Sequence, residues 1–103
     1  MNLNQITIPS LDINTAISFY KKLGLELIVY SQDHYARFLC PEGDSTFSIH
    51  QVSALPSGDG IYIYFEEQSW LWKEARLKDP DANQIIIYNA GENRINPPWR
   101  LKS

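Results

Sequence analysis

The sequence predicts an α+β fold, and three observations carry that prediction. Ile13, Ala16, Ile17, Tyr20 and Leu23 recur at the 3.6-residue helical period, with Asp12 placed to cap the start and Gly24 to stop the end. Residues 74–88, EARLKDPDANQIIIY, read as strand, tight turn, strand: Ala75 and Leu77 alternate with Glu74, Arg76 and Lys78. Asp79, Pro80, Asp81 and Asn83 then supply turn chemistry before the β-branched run of Ile85, Ile86 and Ile87. The remaining apolar segments are short and alternate with period two, as half-buried strands do.

In chain order, residues 3–9 form a first strand with Leu3, Gln5 and Thr7 on one face and Ile6 and Ile8 on the other. The helix follows. Residues 25–33 and 34–40 read as two strands joined at Ser31, Gln32 and Asp33, and the turn at 41–44 leads into a strand over 45–52. There Phe47 and Ile49 point one way and Ser48 and His50 the other. Residues 1–53 thus make a complete βαβββ unit. Gly58 and Gly60 precede a strand over 61–66, in which Ile61, Ile63 and Phe65 oppose Tyr62, Tyr64 and Glu66.

Length and charge set limits on function. A chain of 103 residues is one domain, large enough to fold alone only if most apolar side chains find cover. A net charge of −3, with nine basic residues spread along the chain, leaves no footprint for a nucleic-acid backbone. No apolar run approaches the length of a membrane span, and the N-terminus lacks the basic and apolar regions of a signal peptide, so the expected setting is cytoplasmic, with no membrane partner. Cys40 is the only cysteine, which rules out an internal disulfide and reads as a small buried or half-buried thiol.

Three stretches resemble the vicinal oxygen chelate superfamily, which holds the glyoxalases, the bleomycin-resistance proteins and the extradiol dioxygenases. The 74–88 hairpin is similar to that superfamily's closing hairpin, whose turn reads DPDGN. FYKKLGLEL, at 19–27, resembles its helix-to-strand passage. AGENRINPPWRLKS, at 90–103, resembles a tail found in one subgroup. The resemblance implies a cupped mixed sheet built from two βαβββ units, and against that pattern this chain is internally shortened. Between residues 66 and 74 there is no room for a second helix and its following strand, which would take roughly twenty residues. The expected organisation is therefore a single glyoxalase/bleomycin-resistance-like domain over 1–103, with a complete unit at 1–53, a shortened unit lacking its helix at 60–89, and a tail at 90–103.

Two expectations follow from the shortening. The face carrying Ile61, Ile63 and Phe65, joined by Ile85 and Ile87, would normally lie beneath the missing helix, and leaving it in water would cost roughly 1.5–3 kcal/mol per large side chain. A homodimer is expected to cover it, with the partner chain or its Pro97-Pro98-Trp99 segment supplying the cover; the tail of the same chain is the alternative. The resemblance supports the dimer, since family members pair their units across subunits. The turn also departs from the family pattern: Ala82 stands where Gly is common, and a positive φ there would cost roughly 1 kcal/mol.

The resemblance also implies where a metal would sit. The four ligand positions of the metal-dependent members align with Gln5, Ser48, Tyr62 and Ile86, of which only Gln5 is an ordinary ligand for a divalent cation. No metal, no cofactor and no catalytic residue is therefore expected. A binding surface is expected instead. Gln5, Thr7, Ser48, His50, Tyr62, Tyr64 and Tyr88 share the inner face, Arg76 reaches its rim beside Glu74, and Trp72, with Trp70, either lines the pocket or covers the apolar patch. Arg37 is a further candidate for clamping an anion. His34, in a turn, reads as solvated. The expected function is metal-independent binding of a small organic molecule. Two alternatives stay open: a glyoxalase-like or dioxygenase-like enzyme using Gln5, His50 and groups from a partner chain, and a non-catalytic dimeric interaction module.

Overall fold

The computed structural model describes residues 1–67, 74–89 and 94–101. Within them the chain runs β1 (Gln5–Ser10), α1 (Ile13–Leu23), β2 (Glu26–Ser31), β3 (Tyr35–Leu39), β4 (Thr46–Gln51), β5 (Tyr62–Glu66), β6 (Glu74–Lys78) and β7 (Gln84–Tyr88). The fold is α+β, with a four-stranded sheet ordered β1-β4-β3-β2 and a three-stranded sheet ordered β5-β7-β6. Both are mixed: β1 runs parallel to β4 and β5 parallel to β7, while the other pairs are antiparallel.

The second sheet repeats the first with parts removed. β5, β7 and β6 occupy the places of β1, β4 and β3, and among the described residues nothing corresponds to α1 or β2. The topology explains why the chain can do without them. β5 and β6 flank β7 and run antiparallel to each other, so β5 ends at the edge of the sheet where β6 begins, two strand spacings or about 10 Å away.

α1 starts and stops where local chemistry dictates. The Asp12 side chain accepts hydrogen bonds from the backbone N–H (3.2 Å) and the hydroxyl (2.8 Å) of Thr15. At the other end Gly24 takes the left-handed conformation, φ 115°, and donates its N–H to Lys21 O. Ile13, Ala16, Ile17 and Tyr20 are buried along one stripe.

The core corrects the expectation that the second sheet lacks cover within its own chain. Ile63, Ile85 and Ile87 are buried in the same cluster as Ile13, Ala16, Ile17 and Tyr20 of α1 and Ile8, Phe38, Phe47 and Ile49 of the first sheet. Phe65 packs against that cluster, its ring 5.9 Å from that of Phe47. The second sheet's apolar face and α1 therefore belong to one core. Ile61, just before β5, stays 46% exposed, and Trp99 of the tail, 80% exposed, gives it no cover.

Hydrogen bonds from the 79–83 turn pin the helix to the second unit. Tyr20, fully buried, donates its hydroxyl to Asp79 Oδ2 at 2.5 Å, and Asp81 Oδ1 accepts from Leu11 N at 3.0 Å just before the helix begins. Asp79 also accepts from the backbone N–H groups of Asp81 and Asn83, which shapes the turn around its carboxylate. From the first sheet, the Gln51 amide accepts from Ile13 N and donates to Leu11 O.

Two predictions follow. Ala82 takes a left-handed backbone, φ 68°, so the strain anticipated for a non-glycine residue is present. Ala82→Gly is expected to stabilise the protein by about 1 kcal/mol in urea unfolding. Tyr20 is held well above the ordinary phenol range, first by burial and then by its hydrogen bond to Asp79 and that carboxylate's charge. Unfolded, it ionises near pH ~10 while the folded chain keeps its proton, so the unfolded state binds fewer protons and stability falls as pH rises past that point. Tyr20→Phe should lower stability at neutral pH by about 1–3 kcal/mol. It should also flatten part of the alkaline loss, as followed by urea unfolding over a pH series.

Candidate functional site

β1 and β5 are edge strands, and residues from both line a cleft of about 480 Å³. Gln5 and Ile6 come from β1, Thr46 and Phe47 from the adjoining β4, and Tyr62 to Glu66 from β5. Cys40 and Glu42 line it as well. Parity divides the lining by chemistry: Ile6, Phe47, Ile63 and Phe65 belong to the core side, whereas Gln5, Thr46, Tyr62 and Tyr64 belong to the open faces. Gln5 and Thr46 are register partners, and the Thr46 hydroxyl donates to Gln5 Oε1 at 2.7 Å. That bond orients the Gln5 amide. Burial pushes the Cys40 thiol above its ordinary value, so it is poorly suited to act as a thiolate nucleophile.

The tyrosines form the other wall. Tyr62 and Tyr64 are 64% and 57% exposed, and Tyr64 meets the half-buried Tyr88 edge to face at 5.9 Å. Burial raises the Tyr88 phenol above its ordinary value. Near the cleft's end, Glu66 lies 3.9 Å from Arg94 of the tail.

The nine sequence-predicted binding residues do not converge on one place. Gln5, Tyr62 and Tyr64 line the cleft, and Tyr88 supports Tyr64 from the next strand. Thr7 lines a different cavity at the other end of β1. Ser48 is a correction: parity puts it on the open face, but it is fully buried, its hydroxyl 2.7 Å from that of Tyr35. His50 is exposed near the end of β4. Arg76 points its guanidinium to Glu74 at 2.8 Å in solvent. Trp72, like Trp70, lies outside the described residues.

Sequence reasoning missed Thr46, Cys40 and Glu42, which the meeting of two distant edges brings into the cleft. For Thr46 a signal existed, since it shares the parity of Ser48 and His50. It also missed Tyr35. On the open face of the first sheet Arg37 donates from Nε to the Tyr35 hydroxyl at 3.0 Å, with the guanidinium carbon 5.5 Å from the ring centre. Burial opposes ionisation of Tyr35, but the hydrogen bonds from Ser48 and Arg37, with the Arg37 charge, outweigh it and bring the phenol below its ordinary value. Arg37, Tyr35 and Ser48 make a short polar relay beside the cleft-forming strands.

The four positions aligned with metal ligands do not fit a divalent ion. The Gln5 oxygen already accepts from Thr46, the Ser48 hydroxyl is sealed against Tyr35, and Ile86 is buried hydrocarbon. Among the described residues no three His, Cys, Asp or Glu side chains gather as a metal site.

No family model matches the sequence, and no curated protein matches it. Solved structures do. A possible glyoxalase from Bacillus cereus superposes with a TM-score of 0.70 at 11% identity, over 85% of this chain and 98% of that one. A lactoylglutathione lyase from Agrobacterium tumefaciens gives a TM-score of 0.68 at 13% identity, over 85% and 92%. The bleomycin resistance determinant encoded on transposon Tn5 gives 0.63 at 13% identity, over 86% and 98%. The chain shares the fold of these solved structures.

Arg37→Gln removes the guanidinium hydrogen bond and charge that help lower Tyr35, while its burial and its hydrogen bond with Ser48 stay in place. The Tyr35 phenol is expected to rise from its lowered position in the native protein, as read from isotope-labelled tyrosine NMR across an alkaline titration.

Proposed function

We propose that this chain, a single domain over 1–103 with a vicinal oxygen chelate fold, binds a small, partly aromatic organic molecule in the cleft between β1 and β5, without a metal ion. One observation carries the reading: the cleft combines aliphatic and aromatic walls with a few oriented polar groups, the arrangement that small-molecule sites share. Tyr62 and Tyr64 offer ring faces, Gln5 and Thr46 a fixed amide and hydroxyl, and Glu66, beside Arg94, a charged group. The donor set argues against metal chemistry, because the aligned positions lack a carboxylate and one of them, Ile86, has no donor at all. Among the similar structures is a bleomycin-binding protein complexed with bleomycin, which shows a binding role on this fold without extending that ligand to this chain.

Homodimerisation in the cytoplasm belongs to the same proposal. Tyr62, Tyr64, Ile95, Trp99 and Leu101 are all more than half exposed, an unusual amount of large apolar surface for so short a chain. A partner copy would cover it and close the open side of the cleft.

Thermal-shift screening of aromatic small molecules tests the binding function, since a ligand selective for the native state raises its melting temperature by mass action. Tyr62→Ala and Tyr64→Ala should each weaken any hit by roughly tenfold, while chelator leaves the affinity unchanged. A hit lost on chelator treatment, or a stoichiometric divalent ion in the purified protein, would contradict metal-independent binding.

A further inference from the structure

Four strands stand at the edges of the two sheets, β1 and β2 in the first and β5 and β6 in the second. An open edge invites pairing with another chain, and three of the four are guarded against it. β1 carries Pro9, which has no N–H to offer, and the ladder of β2 is interrupted by a register shift between Leu27 and Val29. β6 sets Glu74, Arg76 and Lys78 along one face. β5 has none of these devices. Its ladder with β7 runs regularly from Tyr62 to Glu66, it contains no proline or lysine, and its single charge stands at its end.

Hydrogen bonds fix which way the backbone of β5 faces. Ile61 O accepts from Gln84 N at 2.8 Å and Glu67 N donates to Tyr88 O at 2.9 Å, at the two ends of the parallel ladder with β7. Backbone direction alternates along a strand, so Ile63 and Phe65 also turn their N–H and C=O groups to β7, while Tyr62, Tyr64 and Glu66 turn theirs to the open edge. On that side β5 has no partner strand among the described residues. All five of its residues line the cleft of about 480 Å³, so the open edge forms one wall.

We propose that the cleft takes an extended segment of another polypeptide, which adds to β5 as a strand. This rests on the reading of the cleft as a binding site and names the class of its ligand. Backbone hydrogen bonds to Tyr62, Tyr64 and Glu66 supply affinity, and side chains alternate between the core-side lining of Phe47, Ile63 and Phe65 and the open-face tyrosines. A second copy of this chain fits less well. An edge strand of a folded sheet brings its neighbours with it, and β1 lines the cleft opposite β5, where the first of them would have to lie.

The test is an NMR titration of the isotope-labelled full chain with the peptide KVTVTVTK, acetylated and amidated at its ends, and with two forms of it N-methylated at every valine or at every threonine. At saturating peptide, hydrogen exchange at the Tyr62, Tyr64 and Glu66 amides is expected to slow by at least about tenfold. Methylating one alternate set should weaken binding at least about tenfold more than methylating the other, because only one set faces β5. Tyr64→Pro removes the central outward N–H without taking a bond from the β7 ladder and should abolish peptide binding, whereas Tyr64→Ala keeps that N–H and should retain part of it. If Tyr64→Pro does not fold, the methylated peptides carry the test. Unslowed exchange at the three amides, equal affinity for the two methylated forms, or equal peptide binding by Tyr64→Pro and Tyr64→Ala would overturn the assignment. So would protection of the same amides by raised protein concentration alone, which would make the occupant a second copy. Aromatic small molecules that bind the cleft where the peptide does not would sink strand addition and leave the binding function standing; failure of both would remove both.

Discussion

Two apolar sheet faces share one helix, and the rest of the molecule follows from that constraint. A strand pattern that buries Ile8, Phe47 and Ile49 on one sheet and Ile63, Ile85 and Ile87 on another needs cover for both, and α1 is the only α-helix among the described residues. At roughly 1.5–3 kcal/mol for each large apolar side chain buried, either face left bare would remove a large part of a small domain's stability. The polar contacts make the sharing specific. Asp79 accepts from Tyr20 in the last half of the helix, Asp81 from Leu11 before its start, and Gln51 bridges that start to the first sheet. A turn of sequence DPDAN, seventy residues along the chain from Leu11 in the case of Asp81, thus sets where the second sheet sits.

That placement produces the cleft. With the cores of the two sheets joined through α1, the edges of β1 and β5 border a common space instead of pairing with each other as one ladder. The core-side residues of both edges furnish its apolar walls, and the open-face residues furnish its tyrosines and its amide-hydroxyl pair. The second unit, with no counterpart of α1 or β2 among the described residues, still supplies the tyrosine wall, because Tyr62 and Tyr64 stand on β5.

Local chemistry made much of this legible in the sequence. The helix limits could be read from Asp12 and Gly24, since caps act within one turn, and the strand faces from alternation, which held for Ile6 and Ile8, for Tyr62 and Tyr64, and for Ile85 and Ile87. Depth was not legible. Parity assigns Ser48 to the open face but says nothing of Tyr35 and Arg37, which reach it from the neighbouring strand and bury it. The fate of Ile63, Ile85 and Ile87 was hidden for a similar reason. A missing helix suggested a bare surface, whereas the cover comes from an element far back in the chain, and no period or propensity reports on such packing. Thr46, Cys40 and Glu42 escaped notice because two edges that are distant in sequence bring them together.

A helix shared by two sheets should make them open as one unit. Native-state hydrogen exchange on the full chain measures this strand by strand. The amides of Ile85 and Ile87 in β7 should exchange with the same opening free energy as those of Ile8 in β1 and Ile49 in β4. Opening of the β5-β7-β6 sheet at several kcal/mol less, with the first sheet still protected, would mean that the second unit rests on α1 without being part of its core.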